Sequence, residues 1–222
     1  NPIQVYNLAA QSHVGDSFRI PTVTHQINAV AVLILLDRLH AHFGENDGFR
    51  FYQASTSELY GNLKGTGEVV EMDEDTPFNP ASPYAVAKAA AFQTVKNYRE
   101  TYNIHAVNGI LFNHESPKRH RDYVSKKIVQ SVCEILYGKR NYIYLGNIKS
   151  KIDWGFAKEY VEYSWKIMQR KKPEFYVIGT GKNNSVEYFV KKCFEYVGLN
   201  YKKYIKIDKK LFRPSKTRNL LA

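Results

Sequence analysis

Cysteine is scarce in this sequence, and long apolar runs are missing from it. Cys133 and Cys193 are the only cysteines among 222 residues, and they form neither a disulfide framework nor a metal-binding spacing. We interpret both as small buried hydrophobic residues in a reducing compartment, and we expect no metal site. The longest strongly apolar run, at residues 29–36, is too short to cross a bilayer, and no secretory signal pattern opens the chain. We therefore expect a cytoplasmic globular protein without a membrane partner.

Acidic residues are also scarce in the second half of the chain. Residues 1–111 carry 7 basic and 11 acidic side chains, whereas residues 112–222 carry 25 and 10, so the halves have net charges of −4 and +15. The second half should attract anions. Because its lysines are scattered over amphipathic segments without a nucleic-acid-binding motif, we do not expect a nucleic-acid partner. A nucleotide diphosphate would serve equally well as the anion.

A glycine-rich nucleotide-binding turn is the third missing feature. A cofactor-binding sheet normally has Gly-x-Gly-x-x-Gly after its first strand, and none follows the first apolar run here. The segments GTGEVV (65–70) and GTGKNN (179–184) both lack the third glycine, and only the second follows a predicted strand and precedes a predicted helix. We therefore do not expect either segment to hold a pyrophosphate.

What the sequence does contain is a regular alternation of short β-rich runs and helical patterns. Strands are predicted at 3–9, 49–55, 104–112, 141–146, 174–180 and 203–208, and helices at 23–43, 82–102, 121–138, 156–170 and 184–197. This order predicts a parallel sheet built from right-handed βαβ units. We expect an α/β fold, with a partial Rossmann-type, doubly wound parallel sheet followed by a small C-terminal α/β substrate-binding region.

A tyrosine four residues before a lysine places a phenol and an ammonium on one helical face. About two such pairs are expected by chance in a chain this rich in tyrosine and lysine, and four occur. The pairs are Tyr60/Lys64, Tyr84/Lys88, Tyr123/Lys127 and Tyr188/Lys192. The spacing alone therefore cannot distinguish a catalytic pair from two amphipathic residues on a helix.

Position along the chain separates one pair from the others. One predicted strand ends in Thr56, Ser57 and Glu58, and a later one ends in Asn113 and His114. The helix of the second tyrosine–lysine pair lies between these strands in sequence. Because ligands bind at the carboxyl ends of strands in open α/β sheets, we expect these polar groups to share one rim.

The chemistry of such a rim favours proton and hydride transfer. A free tyrosine has a pKa near 10, and an ammonium within about 4 to 6 Å favours the phenolate. We therefore expect Lys88 to lower the pKa of Tyr84, which would then act as a base toward an alcohol. Glu58 would be a second base, and Thr56 could hydrogen-bond the same hydroxyl.

Four segments together resemble a known family. They are YNLAAQSHV, FYQASTSELYG, TPFNPASPYAVAK and NGILFNHESPKR, and they closely resemble the GDP-mannose 4,6-dehydratases, which are extended short-chain dehydrogenases/reductases. The resemblance extends from Asn1 to about Leu220. Tyr-x-x-x-Lys marks the superfamily, Thr-x-Glu marks its nucleotide-sugar dehydratases, and FNHESP points to the GDP-mannose branch.

The resemblance implies a dehydration of GDP-mannose through tightly bound NADP. Tyr84 would take the C4 hydroxyl proton with help from Thr56 while the sugar is oxidised at C4. Glu58 would then remove the C5 proton and help expel water from C6, and the hydride would return to C6. The product would be GDP-4-dehydro-6-deoxy-mannose, a precursor of GDP-fucose or GDP-rhamnose type sugars, and Lys88 would hold the nicotinamide ribose. A homodimer or homotetramer is also implied.

The resemblance also assigns site residues and a division of the chain. The implied catalytic residues are Thr56, Glu58, Tyr84 and Lys88. The implied cofactor contacts are Leu8, Ala9, Ala10, Gln11, Ser12, Lys88, His114 and Arg119. The implied substrate contacts are Ser57, Asn113, Lys127 and Arg213. Residues 1–115 would form the cofactor-binding portion with the catalytic residues, and residues 116–222 would form mainly the substrate region.

The chain departs from the family pattern at two substrate positions. Ile152 stands where the family has an arginine, and Lys216 stands where it has a glutamate that would bind ribose hydroxyls. With the missing glycine-rich turn, these departures leave two alternatives open. One is a dehydratase or epimerase that acts on another nucleotide sugar, and the other is a diverged or truncated homologue without turnover, such as a polyanion-binding protein.

Overall fold

The computed structural model describes residues 2–44, 48–61, 70–212 and 220–222. The strands in this part of the chain are β1 (Ile3–Asn7), β2 (Phe49–Thr56), β3 (Val70–Glu71), β4 (His105–Leu111), β5 (Asn113–Glu115), β6 (Ile143–Leu145), β7 (Lys151–Phe156), β8 (Phe175–Ile178), β9 (Asn183–Ser185), β10 (Ile205–Ile207) and β11 (Leu220–Leu221). The α-helices are α1 (Val14–Ser17), α2 (Pro21–His25), α3 (Ala31–Phe43), α4 (Pro83–Tyr102), α5 (Val124–Leu136), α6 (Ala157–Met168) and α7 (Val186–Tyr196).

The central sheet has four parallel strands in the order β1-β2-β4-β8. Phe51 of β2 lies opposite Val5 on one side and Ala106 on the other. Every strand is joined to the next through a helical crossover, as in βαβ units. The expected α/β fold with a parallel sheet is confirmed.

Helices cover both faces of the central sheet because both faces are apolar. On one face, α3 and α4 pack on β2 and β4 through a buried cluster that includes Leu36, Phe51 and Val95. On the other face, α6 packs through a second cluster that includes Tyr52 and Met168. A strand buried on both sides can carry apolar residues at successive positions, as Phe51 and Tyr52 do in β2.

Helix α4 begins at a well-formed cap, and this start sets the position of the tyrosine–lysine pair. The Ser82 hydroxyl accepts a hydrogen bond from the backbone N–H of Ala85 at 3.1 Å, and Pro83 occupies the first helical position. Proline is favoured there because its missing N–H would be unpaired anyway. The helix ends at Asn103, which adopts a left-handed conformation. Tyr84 therefore lies in the first turn of the helix, at the rim of the sheet.

The C-terminal elements form a third apolar cluster, the C-terminal apolar cluster, which lies between α5, α7 and the small sheets. Its buried members are Ile128, Val132, Ile135, Ile143, Leu145, Val186, Val190 and Phe194. Strands β6 and β10 pair in parallel, and β7 pairs with β5 and β9. Neither β7 nor β9 is predicted from the sequence. KIDWGF does alternate apolar and polar residues, and this pattern is a signal that could have found β7, whereas NNS is polar and is defined by its pairing with β7.

The boundary expected at residue 115 divides the molecule less cleanly than the sequence suggests. Both α6 and β8 follow that residue, yet β8 pairs with β4 in the central sheet and α6 packs on the same sheet. The second half of the chain therefore contributes to both regions.

Among the described residues, no helix combines the length and apolar character needed to span a bilayer.

The helix predicted over 23–43 is one rod with an irregular centre. It starts at Pro21 as α2, passes through a π-helical turn at Gln26–Val30 and continues as α3. The π turn aims Asn28 inward, where its side chain is fully buried. Such turns often mark functional sites, and this one contacts the candidate site described next.

Candidate functional site

Strand β2 ends in a tight turn that presents Thr56 and Glu58 at the rim of the sheet. The turn is a 3₁₀ segment, Ser57–Tyr60, and the Thr56 hydroxyl caps it by accepting a hydrogen bond from the Glu58 backbone N–H at 3.2 Å. Gly61 closes the turn with φ of 56°, and a Cβ there would lie 1.5 Å from the Asn79 carbonyl oxygen. Only glycine fits such a position, so the backbone around Glu58 is sterically defined.

The expected catalytic residues lie together at this rim. The Tyr84 hydroxyl hydrogen-bonds the Thr56 side chain, and the Glu58 carboxylate is close enough to raise the pKa of Tyr84. Tyr84, Thr56 and Lys88 are all buried, whereas Glu58 is partly exposed. The arrangement places a phenol, a hydroxyl and a carboxylate at one edge, which is the set that proton transfer to and from a sugar requires.

The pKa of Tyr84 is raised in the structure, whereas the sequence predicts that Lys88 lowers it. Burial raises the pKa of Tyr84 to about 12, the Thr56 hydrogen bond opposes this shift, and Glu58 and Tyr123 reinforce it. Lys88 is not among the causes of the shift, and its Nζ lies 6.0 Å from the centre of the Tyr84 ring. Burial also lowers the pKa of Lys88 to about 8. Desolvation therefore outweighs the pairwise attraction in this structure.

A buried polar chain holds Lys88 in place. Its Nζ donates to the Ala54 carbonyl at 3.0 Å, and the same carbonyl accepts from Gln53 Nε2 at 3.0 Å. Gln53 Oε1 in turn accepts from Asn7 Nδ2 at 2.8 Å. This series of hydrogen bonds links the ends of β1 and β2 to α4, so the sheet itself positions the Lys88 ammonium.

The loop after β1 is clamped from the π turn. Asn28 Oδ1 accepts from the backbone N–H of Gln11 at 2.8 Å, and Asn28 Nδ2 donates to the Gln11 carbonyl at 2.9 Å. Leu8 and Ala9 are exposed at the start of this loop, and Ala10 is partly exposed. Sequence inspection misses Asn28, although a lone amide inside an apolar helical run is a signal that could have found it.

Three further predicted residues line the rim beside this loop. Asn113 is exposed at the start of β5. The His114 Nδ1 lies 2.9 Å from the Phe112 carbonyl, which only accepts, so Nδ1 carries the proton and Nε2 is left as an acceptor. Burial lowers the pKa of His114 and keeps it neutral. Arg119 forms an ion pair with Glu115 at 3.3 Å.

The predicted substrate contacts are less closely grouped. Ser57 is buried in the 3₁₀ turn. The Nζ of Lys127, on α5, donates to the Tyr144 carbonyl at 2.8 Å, and burial lowers the pKa of Lys127. Ile152 is partly buried against the C-terminal apolar cluster. Arg213 and Lys216 lie outside the described residues.

The four tyrosine–lysine pairs have different surroundings. Tyr84 and Lys88 are both buried, whereas Tyr188 is exposed on α7 with Lys192 5.7 Å from its ring. The Tyr60 hydroxyl donates to the Asp73 carbonyl at 2.8 Å, and its lysine lies outside the described residues. Burial therefore distinguishes Tyr84 and Lys88 from Tyr188 and Lys192, which have the same spacing.

The backbone N–H donors of the segment GTGKNN are bound by a carboxylate of the protein itself. The buried Asp153 carboxylate accepts from the backbone N–H groups of Thr180 at 3.0 Å and Gly181 at 3.1 Å, and from the Thr180 hydroxyl. These are the donors that would bind an anion in a glycine-rich turn. An internal carboxylate occupies them, which agrees with the expectation that this segment holds no pyrophosphate.

The rim residues fit a nicotinamide dinucleotide. The Ala54 carbonyl engages one of the three N–H donors of the Lys88 ammonium, so ribose hydroxyls can take the others. The Ser55 hydroxyl is buried beside it and has no hydrogen-bond partner among the described residues. Small side chains at Ala9 and Ala10 leave the backbone open to a ligand.

Solved structures share this fold. RMD from Pseudomonas aeruginosa complexed with NADPH superposes with a TM-score of 0.83 at 23% identity, covering 93% of this chain and 69% of that one. The dTDP-glucose 4,6-dehydratase DesIV from Streptomyces venezuelae, solved with NAD and TYD, gives 0.79 at 22% identity, covering 99% and 64%. The likeness shows that this chain has a Rossmann-type α/β fold.

The particular family follows from the sequence comparison. The family pattern of GDP-mannose 4,6 dehydratase matches residues 1–222, and the chain belongs to this family. GDP-mannose 4,6 dehydratase 1 of Arabidopsis thaliana is 44% identical over 220 residues, which are 99% of this chain and 60% of that protein. The Homo sapiens GDP-mannose 4,6 dehydratase is 47% identical over 197 residues, which are 89% and 52%. The chain spans about 60% or less of the length of these two relatives.

Burial of Lys88 leads to a prediction about stability. Between pH 8 and 10.5 an unfolded lysine keeps its proton while folded Lys88 has lost it, so the free energy of unfolding should rise with pH across this window. We expect Lys88→Met to stabilise the full gene product at pH 7 by on the order of 1 to 3 kcal/mol, because it removes the desolvated charge. The gain should disappear by about pH 10.5.

Urea unfolding at several pH values checks this prediction. Ala54 O keeps its Gln53 donor in the variant, so no carbonyl is left unpaired. The matched control is Lys192→Met, which also lies one helical turn after a tyrosine but is exposed, and should change stability by less than about 0.5 kcal/mol. A Lys88→Met protein that is less stable than wild type at pH 7 contradicts the prediction.

Proposed function

We propose that the full gene product dehydrates GDP-mannose to GDP-4-dehydro-6-deoxy-mannose with NADP as its cofactor. The observation that carries the proposal is the Thr56–Tyr84 hydrogen bond beside Glu58, at the carboxyl end of β2 and above the buried Lys88. Family membership supports GDP-mannose as the substrate. The solved relative with NADPH supports a nicotinamide cofactor at this rim.

The rim residues would divide the proton transfers between them. NADP would supply the reversible hydride acceptance that oxidation at C4 and reduction at C6 require. Tyr84, hydrogen-bonded to Thr56, would take the proton of the C4 hydroxyl as that carbon becomes a carbonyl. The carbonyl acidifies the neighbouring C5 proton, which Glu58 would remove and deliver to the C6 hydroxyl as water leaves. As the hydride returns to C6, the proton that Tyr84 took from the C4 hydroxyl would be delivered to C5, so that the rim regains its starting protonation. Lys88 would orient the nicotinamide ribose.

The ionisation of Tyr84 would have to change when the ligands bind. With a pKa of about 12, Tyr84 in the free protein is protonated at neutral pH and cannot accept the C4 hydroxyl proton. A sugar hydroxyl placed between Thr56 and Tyr84 would add a hydrogen bond, and a nicotinamide carrying positive charge would favour the phenolate. Hydrogen bonds and charge from the ligands would thus lower the pKa of Tyr84, which Lys88 does not do in the free protein.

A direct assay tests this function. The full gene product is incubated with GDP-mannose and NADP, and the 4-keto sugar nucleotide is followed by mass spectrometry and NMR. We expect loss of one water, 18 Da, and a new C6 methyl signal. Absence of product with NADP bound would contradict the proposal.

A second candidate is a dehydratase or epimerase for another nucleotide sugar. It is favoured by Ile152, which is apolar and packs on the C-terminal cluster at a position where the resemblance implies a positive substrate contact. Thermal shifts with GDP-mannose, dTDP-glucose and a UDP-sugar separate the candidates, because a ligand stabilises the folded protein according to its affinity. The largest shift with a nucleotide other than GDP would favour this second candidate.

We also propose that the protein self-associates through an apolar stripe. Five exposed side chains recur at helical spacing along α2, the π turn and α3. They are Ile20, Val23, Ile27, Val30 and Ile34. Val86 of α4 is exposed as well, and α4 packs beside these helices. A contiguous apolar surface of this kind usually marks a protein interface, and a two-fold contact can pair it with its own copy.

Charge placed in the stripe should disrupt this assembly. Ile34 is 54% exposed, so Ile34→Glu should leave the fold intact but place a carboxylate in the interface. We expect the native oligomer to dissociate to a smaller species, measured by sedimentation velocity. Val161→Glu, at a 66% exposed position on α6, is the control and should keep the native mass. An unchanged mass for Ile34→Glu argues against the stripe.

A further inference from the structure

Tyr123 bridges two segments of the rim that are separate in sequence. Its hydroxyl lies 2.8 Å from the Ser12 hydroxyl in the loop after β1. Its ring lies under Arg119, whose guanidinium carbon is 3.7 Å from the ring centre. His13 meets the same ring edge-on, with the ring centres 6.0 Å apart. One side chain therefore contacts both the loop and the segment after β5.

The far side of this bridge is anchored to α5. Glu115 accepts a hydrogen bond from the Ser125 hydroxyl at 2.7 Å and forms an ion pair with Arg119 at 3.3 Å. Tyr123 itself precedes α5, and its carbonyl accepts from the Lys127 backbone N–H at 2.9 Å. The bridge is thus held at one end by β5 and α5, whereas its other end consists of the hydroxyl contact to Ser12 and the edge-on contact to the His13 ring.

We propose that Tyr123 is a positioning residue for the dinucleotide cofactor, which it serves by fastening the Ser12 loop to Arg119. The inference rests on the proposed function and on the cofactor contacts that the resemblance implies for Ser12 and Arg119. The Tyr123 hydroxyl holds the loop, and its ring holds the guanidinium by a cation–π contact. Loss of the hydroxyl removes one of the loop's contacts and leaves the Asn28 clamp at Gln11 and the His13 ring contact. More of the loop must then be ordered when the cofactor binds, so affinity falls.

The test is a binding cycle on the cofactor-free full gene product, read by NADPH fluorescence. A neutral hydrogen bond contributes about 0.5 to 1.5 kcal/mol, so Tyr123→Phe should raise the Kd for NADPH by about two- to twelvefold. Ser12→Ala should weaken NADPH binding at least as much, because it also removes the contact that the resemblance implies between Ser12 and the cofactor, and the double variant should be no weaker than Ser12→Ala alone. Ser12→Thr keeps a hydroxyl and should bind like wild type.

Two further measurements separate positioning from general stability. Tyr123→Leu, which also removes the ring under Arg119, should bind NADPH more weakly than Tyr123→Phe. At saturating NADP, Tyr123→Phe should keep kcat within about twofold of wild type, because Tyr123 acts only through its neighbours. Tyr188→Phe, an exposed tyrosine on α7 with a lysine over its ring, is the control and should leave the Kd unchanged.

Failure of the role proposed for Tyr123 can be distinguished from failure of the proposed function. If the wild-type protein binds no NADPH, both the proposed function and the role of Tyr123 are wrong. If it binds NADPH but Tyr123→Phe binds equally well, only the role of Tyr123 is wrong. Effects of Ser12→Ala and Tyr123→Phe that multiply in the double variant also overturn the bridge, since independent contacts would then be responsible.

Discussion

Glu58→Gln in the full gene product should lower the formation of the 4-keto product from GDP-mannose by about 10²- to 10⁴-fold, the range for loss of a general base. Glu58 is partly exposed at the end of β2, and the closing glycine turn defines its backbone. Glutamine has the same shape but cannot accept the C5 proton. We expect the Kd for GDP-mannose to change by less than about threefold, because the shape of the site is kept.

The loss in Glu58→Gln cannot be attributed to Tyr84. The negative charge of Glu58 is one of the groups that raise the pKa of Tyr84, so the neutral amide should make the phenol easier to ionise. Assays in D₂O locate the block, since recovered GDP-mannose should carry no deuterium at C5. Glu100→Gln, on the exposed far end of α4, should turn over normally. Near-wild-type turnover by Glu58→Gln would remove Glu58 from the mechanism.

Tyr84→Phe should also lower product formation by about 10²- to 10⁴-fold, for a different reason. The variant keeps the buried ring and removes only the hydroxyl that bonds Thr56. Without it, no group at the rim is placed to take the C4 hydroxyl proton, so the first oxidation should fail. Stability should change by no more than about 1.5 kcal/mol, the contribution of one hydrogen bond, and chemical unfolding measures this.

The chain offers a close control for Tyr84→Phe. Tyr188→Phe removes a hydroxyl from a tyrosine with the same spacing to a lysine, and the Lys-to-ring distances are similar, 5.7 Å and 6.0 Å. Tyr188 lies on α7 and is exposed. We expect Tyr188→Phe to retain full turnover. The contrast between the two variants then shows whether the position of the tyrosine at the rim, rather than its spacing to a lysine, is needed for activity. Equal activities for the two variants would show that the spacing at residues 84 and 88 carries no chemistry.

The sequence predicts the central sheet well because local and long-range preferences agree there. FRFYQAS is rich in aromatic residues, which favour strands, and its adjacent Phe51 and Tyr52 face the two covered sides of the sheet. The alanine-rich α4 starts at Ser-Pro, which favours a helix cap. The C-terminal region is predicted less well. Strand β9 is short and polar, so its pairing with β7 decides its conformation, whereas the apolar alternation of KIDWGF in β7 is a signal that the prediction overlooks.

The electrostatics of the rim is where sequence inspection goes wrong. Spacing brings Lys88 near Tyr84, which suggests a lowered phenol pKa. The structure instead buries both groups, so desolvation raises the pKa of Tyr84 to about 12 and lowers that of Lys88 to about 8. Burial depends on what the rest of the chain packs above these residues, and a four-residue motif contains no such information.

By itself, the sequence determined the α/β alternation, the order of the strand-end motifs and the family to which the chain belongs, because each depends on neighbouring residues or on a matching pattern. Only the tertiary structure decided which of four tyrosine–lysine pairs is buried at the rim. It also decided that Asn28 clamps the Gln11 backbone and that Tyr123 reaches Ser12 across 111 positions. Such contacts arise from packing, which brings distant residues together after the local elements have formed.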